Sequence, residues 1–166
     1  MATDTNERST AWHIALFVGA LVLCEGVGAL AGYVTQGPVQ TWYPTLNKPF
    51  FTPPDWLFAP VWITLYAMMA GAWYLVLRRG WSTPGVKGAS TAFLVQLVLN
   101  GTWSFVFFGM QSIAGGLVVI IALLLAIRWT LKHFYPLSVT AFWLLIPYLF
   151  WVMYATLLNG TLWMMN

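Results

Sequence analysis

Charge is what this sequence has least of. Lysine, arginine, aspartate and glutamate make up 7% of the 166 residues, while 60% are hydrophobic. Soluble domains carry about 25% charged residues, so an ordinary water-exposed fold is excluded. The length allows one domain and no large soluble appendage. Cysteine is almost absent as well. Cys24 stands alone, which excludes an intramolecular disulfide and any metal site built on clustered cysteines. The two histidines, His13 and His133, lie near the ends of apolar runs. Either could bind a metal or a haem iron, but solvation at an interface is the plainer reading. There is no HExxH, no phosphate loop and no Gly-x-Ser-x-Gly. Serine, histidine and aspartate form no plausible triad. Nothing here indicates a hydrolase or an NTPase. The net charge of +3 is spread over loops, which bears on membrane topology and not on a nucleic-acid partner.

Long apolar runs are abundant instead. A helix crossing the hydrocarbon needs about 20 apolar residues. Five segments qualify: about 12–33, 56–77, 90–108, 113–131 and 137–163. Backbone groups in lipid must be satisfied internally, so such segments are helices or barrel strands. None shows the alternation of a strand, so the sequence predicts helices. The fold expected is an all-α membrane protein, a single five-helix bundle. The first ten residues, MATDTNERST, hold Asp4, Glu7 and Arg8 and are not net basic. A long apolar run follows, which predicts a first span that stays, not a cleaved signal.

The connector between the first two spans, about 20 residues, differs from the others. Its stretch WYPTLNKPFFTPPD (42–55) holds four prolines and four aromatics. A connector that long is functional or disordered, and disordered segments are poor in aromatics. Lys48, Pro49, Pro53, Pro54 and Trp56 are therefore read as a semi-rigid lid, prolines lowering the entropy lost on ordering. A plug that merely seals the bundle is the alternative. Lys/Arg asymmetry sets orientation. Arg8, Arg78, Arg79, Lys87, Arg128 and Lys132 fall on one side and Lys48 alone on the other. The N-terminus is accordingly expected in the cytoplasm, in a bacterial inner membrane, with an outer membrane as the alternative.

Several residues inside the spans could carry chemistry. Glu25 is an ionisable group at membrane depth, a functional candidate by default, or else a protonated group bonded to a neighbouring helix. Ala20, Cys24, Gly28 and Gly32 recur every four residues, which predicts close helix packing. Gln96, Asn100, Trp103 and Phe107 share one face of the third span. Tyr148, Trp151, Ala155 and Asn159 share one face of the fifth, just after Pro147. Trp62, Tyr66 and Trp73 share one face of the second. Large aromatics beside a few hydrogen-bonding groups describe a ligand pocket. Trp and Tyr faces suit a flat, conjugated ligand. The same residues could instead form an aromatic core with amides joining the helices.

At this point the chain resembles the translocator protein family, which includes bacterial tryptophan-rich sensory proteins and the mitochondrial peripheral benzodiazepine receptor. The residues that carry the resemblance begin with Trp42-Tyr43, Leu46, Lys48-Pro49, Pro53-Pro54, Trp56, Pro60, Trp62 and Leu65-Tyr66. The third span adds Leu99-Asn100, Trp103 and Phe107-Phe108-Gly109. The fifth adds Pro147-Tyr148-Leu149, Trp151, Ala155-Thr156 and Leu158-Asn159. The match covers about three quarters of the sequence. The resemblance implies a five-helix bundle, commonly a homodimer. It implies binding of porphyrins such as protoporphyrin IX and haem, of sterols in eukaryotic members, and of synthetic benzodiazepine-site ligands. Some bacterial members are reported to degrade protoporphyrin IX in light. The family's pocket tryptophans fall on Trp62 and Trp151, its third-span pocket positions on Asn100 and Trp103, and its fifth-span alanine on Ala155. The loop from Trp42 to Trp56 would close the pocket, with a ligand among the second, third and fifth helices.

Two positions depart from the family pattern. Phe50 and Phe51 stand where many members have a tryptophan after Lys-Pro. No basic residue follows Tyr154, so the family's sterol motif is incomplete. Three functions compete: a binding, sensing or carrier protein for tetrapyrroles, with no obligatory cofactor; a light-dependent porphyrin-degrading enzyme using Trp62 and Trp151; and a structural protein whose partners matter more than its pocket. No inverted repeat is visible, so no transport path is readable.

Overall fold

The structure is a computed structural model that describes residues 9–166. Asp4, Glu7 and Arg8 of the polar start lie outside the described residues. Five helices are long and apolar enough to cross a membrane: α1 (Thr10–Thr41), α2 (Phe58–Leu77), α3 (Val86–Ser104), α4 (Ile113–Phe134) and α5 (Val139–Met165). There is no strand among the described residues. Serines start three of the helices. Ser9, Ser112 and Ser138 accept from the backbone N–H groups of Trp12, Gly115 and Ala141 at 3.3, 3.1 and 3.2 Å. Each such cap contributes about 1 kcal/mol.

The first helix is longer than expected. The apolar run ends at Tyr33, yet α1 continues through Thr35, Gln36 and Pro38 to Thr41. Thr35 and Thr41 turn their hydroxyls back onto the carbonyls of Gly32 and Gly37 at 3.0 Å. That satisfies the side chains without breaking the helix, so polarity here marks a change of surroundings and not an end. The connector to α2 is correspondingly shorter. It contains two 3₁₀ turns, Tyr43–Thr45 and Asp55–Leu57. The start of α3 also moves, from Ser90 to Val86. Gly85, at φ +90°, makes the left-handed turn that launches it.

Round the bundle the helices follow the order α1, α2, α5, α4, α3. The short link from α3 to α4 does make these two antiparallel neighbours. The bundle has two unlike halves. Toward the α2–α3 and α4–α5 connections it is packed solid. Phe93 stacks between Trp73 (centroids 4.9 Å apart, 18°) and Phe134 (5.9 Å, 17°). Met69, Val76 and Ile127 fill the core beside them with 1% exposure or less. Arg78, Arg79, Lys87, Arg128 and Lys132 all belong to this end. The other half, below the proline-rich connector, is open inside.

Candidate functional site

The open half contains a cavity of about 760 Å³, within the range of small-molecule sites. Its walls come from α1, α2, the end of α3 and α5. On α2 the wall is Phe58, Trp62, Ile63 and Tyr66. Trp62 leans on Tyr66 (5.6 Å, 33°) and meets Tyr148 edge-on (6.4 Å, 65°). On α5 the wall is Ala155, Leu158, Asn159 and Leu162.

The α3 wall depends on a local irregularity. After Ser104 the backbone loosens into a single π turn, Phe105–Gly109. The N–H of Met110 reaches the carbonyl of Phe105, five residues back, at 2.9 Å. Such turns reset the helical phase by one residue. Here Phe107 and Phe108 both face the cavity with Trp103. Trp103 stacks on Phe107 (5.3 Å, 22°), and its indole N–H donates to Asn159 Oδ1 at 3.2 Å. Asn159 in turn donates to the carbonyl of Ile113 at 2.8 Å. One amide thus fixes the Trp103 ring against α4 and α5.

Below Tyr66 a chain of buried polar groups links three helices. The Tyr66 hydroxyl donates to Asn100 Oδ1. Asn100 Nδ2 donates to the Tyr148 hydroxyl at 3.0 Å. Tyr148 donates to Gln96 Oε1 at 2.8 Å. Gln96 Nε2 ends the chain, buried and without a partner.

Helix α1 supplies the wall that the sequence did not suggest. Glu25, Ala29, Gly32, Gln36 and Gln40 all line the cavity, spaced as one helical face. Of the four-residue series read as packing, Ala20 and Cys24 are buried as expected. Gly28 lies against the Tyr66 ring, where a Cβ would sit 2.6 Å from two ring carbons. Gly32 has nothing within 4 Å and is open wall. A stripe of small residues therefore packs in its lower half and makes room in its upper half.

Trp62, Tyr66, Trp103, Phe107 and Ala155 thus come together on the cavity, and five other expected residues do not touch it. Gln96, Asn100 and Tyr148 form the buried chain beneath. Trp42 lies behind the wall, edge-on to Phe107 at 5.5 Å. Trp151 packs on Phe58 (6.1 Å) and Tyr154 (5.9 Å), away from the cavity lining. Its position at the margin of the α5 face, about 60° from Tyr148 at 100° per residue, turns it toward α2.

The connector covers the open end through other residues than those singled out. Tyr43 and Asp55 line the cavity, whereas Lys48, Pro49, Pro53, Pro54 and Trp56 do not. Lys48 holds Tyr43 from outside, its Nζ 4.1 Å from the ring centroid. Burial, with the Asp55 carboxylate and Tyr154 nearby, pushes the Tyr43 phenol up to about 12, so it remains a neutral donor. Pro49 is buried and Trp56 is exposed. The Tyr154 hydroxyl donates to the carbonyl of Phe51. Asn47 and Asn166 exchange hydrogen bonds at 2.9 and 3.1 Å. The connector is therefore tied to α5 at two points.

No group of three metal-ligating side chains occurs among the described residues. His13 pairs with the Tyr74 hydroxyl at 3.3 Å and His133 with the Trp129 carbonyl at 2.9 Å. Neither lines the cavity. The site offers stacking faces and a few polar atoms, the equipment of binding.

Residues 20–164 match the TspO/MBR family. The chain is 44% identical over 153 residues to the tryptophan-rich protein TspO of Chlorobaculum tepidum, covering 92% of this chain and 95% of that one. It is 31% identical over 153 residues to protein CrtK of Rhodobacter capsulatus, covering 92% and 94%. It is 36% identical over 146 residues to the translocator protein of Homo sapiens, covering 87% and 86%. Together with five spanning helices, these similarities make it an integral, multi-pass membrane protein. The chain belongs to the TspO/MBR family.

Proposed function

We propose that this protein binds and senses porphyrins such as protoporphyrin IX and haem, held in the cavity beneath the proline-rich connector. The observation that carries the reading is the cavity itself, with indole and phenyl rings on two facing walls, Trp62 on α2 and Trp103 with Phe107 on the end of α3. Flat conjugated rings bind such surfaces by stacking. The reading places the N-terminus in the cytoplasm and the connector outside, in a bacterial inner membrane. The cations gathered at the solid end support that orientation. Two copies associate, as the family resemblance implies.

A second reading, light-dependent porphyrin breakdown, has one specific support. Trp62 stands in the wall, in ring contact with Tyr66 and Tyr148, so a redox-active indole would touch the bound ring. Trp151, the other indole considered for this role, lies off the lining.

Titration of the purified protein with protoporphyrin IX, followed by tryptophan quenching in the dark and then under light, tests both. Saturable dark binding is expected, weakened about two- to tenfold in Trp62→Phe, since a stacked aromatic pair contributes roughly 0.5–1.5 kcal/mol. Trp151→Phe should bind as wild type. Absence of saturable binding would end the porphyrin reading. Light-driven bleaching lost in Trp62→Phe would favour breakdown over sensing.

A further inference from the structure

Glu25 has no role in the reading above. It stands on α1 roughly midway between Thr10 and Thr41, so it lies deep in the spanning region. It is half-buried and lines the cavity. Gln40 marks the mouth end of the same wall, about 22 Å away at 1.5 Å per residue. No described residue donates a hydrogen bond to the Glu25 carboxyl or forms an ion pair with it. The nearby candidates are otherwise engaged or apolar. Tyr66, on the facing helix, spends its hydroxyl on Asn100. Cys24 is fully buried on the adjacent face. The described cations belong to the solid end, apart from Lys48, which sits over Tyr43 in the connector.

A carboxyl at this depth is costly unless something completes it. No described residue does, and the cavity that it lines is the space a ligand would fill. Buried ionisable groups of this kind are satisfied by a partner of opposite charge or by a strong donor. The walls around it are mostly apolar, and a low local dielectric strengthens such a contact. A second carboxylate brought to the same place would be repelled. The inner end of the cavity therefore discriminates by charge, while the aromatic walls discriminate by shape.

We propose that Glu25 is a specificity-determining residue of this cavity, selecting flat apolar ligands that present a basic nitrogen at the end that enters the bundle. Ligands carrying carboxylates bind with those groups turned to the mouth, away from Glu25. The proposal rests on the reading of the cavity as a ligand site and adds the class of group that its inner end accepts.

Three pyrene probes of one shape test it: 1-pyrenebutylamine, 1-pentylpyrene and 1-pyrenebutyrate. Each is titrated into the detergent-solubilised full chain, corrected for protein-free micelles, beside protoporphyrin IX. In the wild type the amine should bind about tenfold or more tighter than the hydrocarbon, a charge-assisted hydrogen bond being worth roughly 1.5–3 kcal/mol, and the carboxylate should bind weakest. Glu25→Gln has the same shape without the charge. It should bring the amine to within twofold of the hydrocarbon. Glu25→Asp retains the carboxyl and should retain the order. Equal affinities in the wild type, or an amine preference that survives in Glu25→Gln, would overturn the proposal while porphyrin binding leaves the cavity reading standing. Failure of protoporphyrin IX and all three pyrenes to bind would overturn both.

Discussion

Tyr148 and Gln96 form the inner end of a polar chain in which one partner is complete and the other is not. The Tyr148 hydroxyl both accepts from Asn100 and donates to Gln96. Gln96 accepts that bond but keeps a buried N–H₂ group with nothing to donate to. Tyr148→Phe would strand Asn100 Nδ2 as well and leave Gln96 with no bond at all. Each stranded group costs about 1–3 kcal/mol. Gln96→Met removes the orphan amide and strands one hydroxyl donor. Thermal unfolding in detergent should therefore show a larger drop in Tm for Tyr148→Phe than for Gln96→Met. The reverse order would mean that the chain is completed in some other way.

Gly28 and Gly32 of α1 should respond oppositely to the same change. In Gly28→Ala the new methyl would press into the Tyr66 ring. Tyr66 is held by Asn100 and cannot swing freely. Loss of stability on the order of 1–3 kcal/mol is expected, as for overpacked cores, together with weaker porphyrin binding. In Gly32→Ala the methyl meets nothing, and alanine gains up to about 1 kcal/mol of helix propensity. Unfolding midpoints of the two variants, measured side by side, check the contrast. Equal destabilisation would show that the upper part of α1 packs as tightly as the lower.

The connector should govern how fast a ligand leaves. Tyr154→Phe removes its bond to the Phe51 carbonyl, and Pro53→Gly with Pro54→Gly restores backbone freedom that proline withholds. Either change should raise the porphyrin dissociation rate several-fold, with little change in association. Stopped-flow displacement measures both rates. Unchanged dissociation in the two variants would make the connector a seal and not a lid.

Five spanning helices were legible because each is a long apolar run, and lipid leaves the backbone no other way to satisfy itself. The end of α1 was not. Gln36 and Gln40 read as loop, yet they are the polar lining of a cavity inside a helix that continues past Tyr33. Missing those two residues also concealed the face that begins at Glu25. Periodicity placed Trp62, Trp103, Phe107 and Ala155 correctly on inward faces, but an inward face has width. Trp151 sits at its margin and meets Phe58, while Tyr148 is buried beneath the cavity. The π turn after Ser104 left no mark in the sequence. It is a matter of one hydrogen bond, and it decides that Phe108 joins Phe107 on the wall.

The solid half has a consequence for traffic. At the level of Glu25 the cavity ends on the buried chain of Asn100, Tyr148 and Gln96, and beyond that chain lie the rings of Trp73, Phe93 and Phe134, stacked one on another across the bundle. The space is a blind chamber, covered by the connector toward one face of the bilayer and stoppered toward the other. Passage to the far side would require those three rings to come apart, and until they do, what goes in leaves by the door it used.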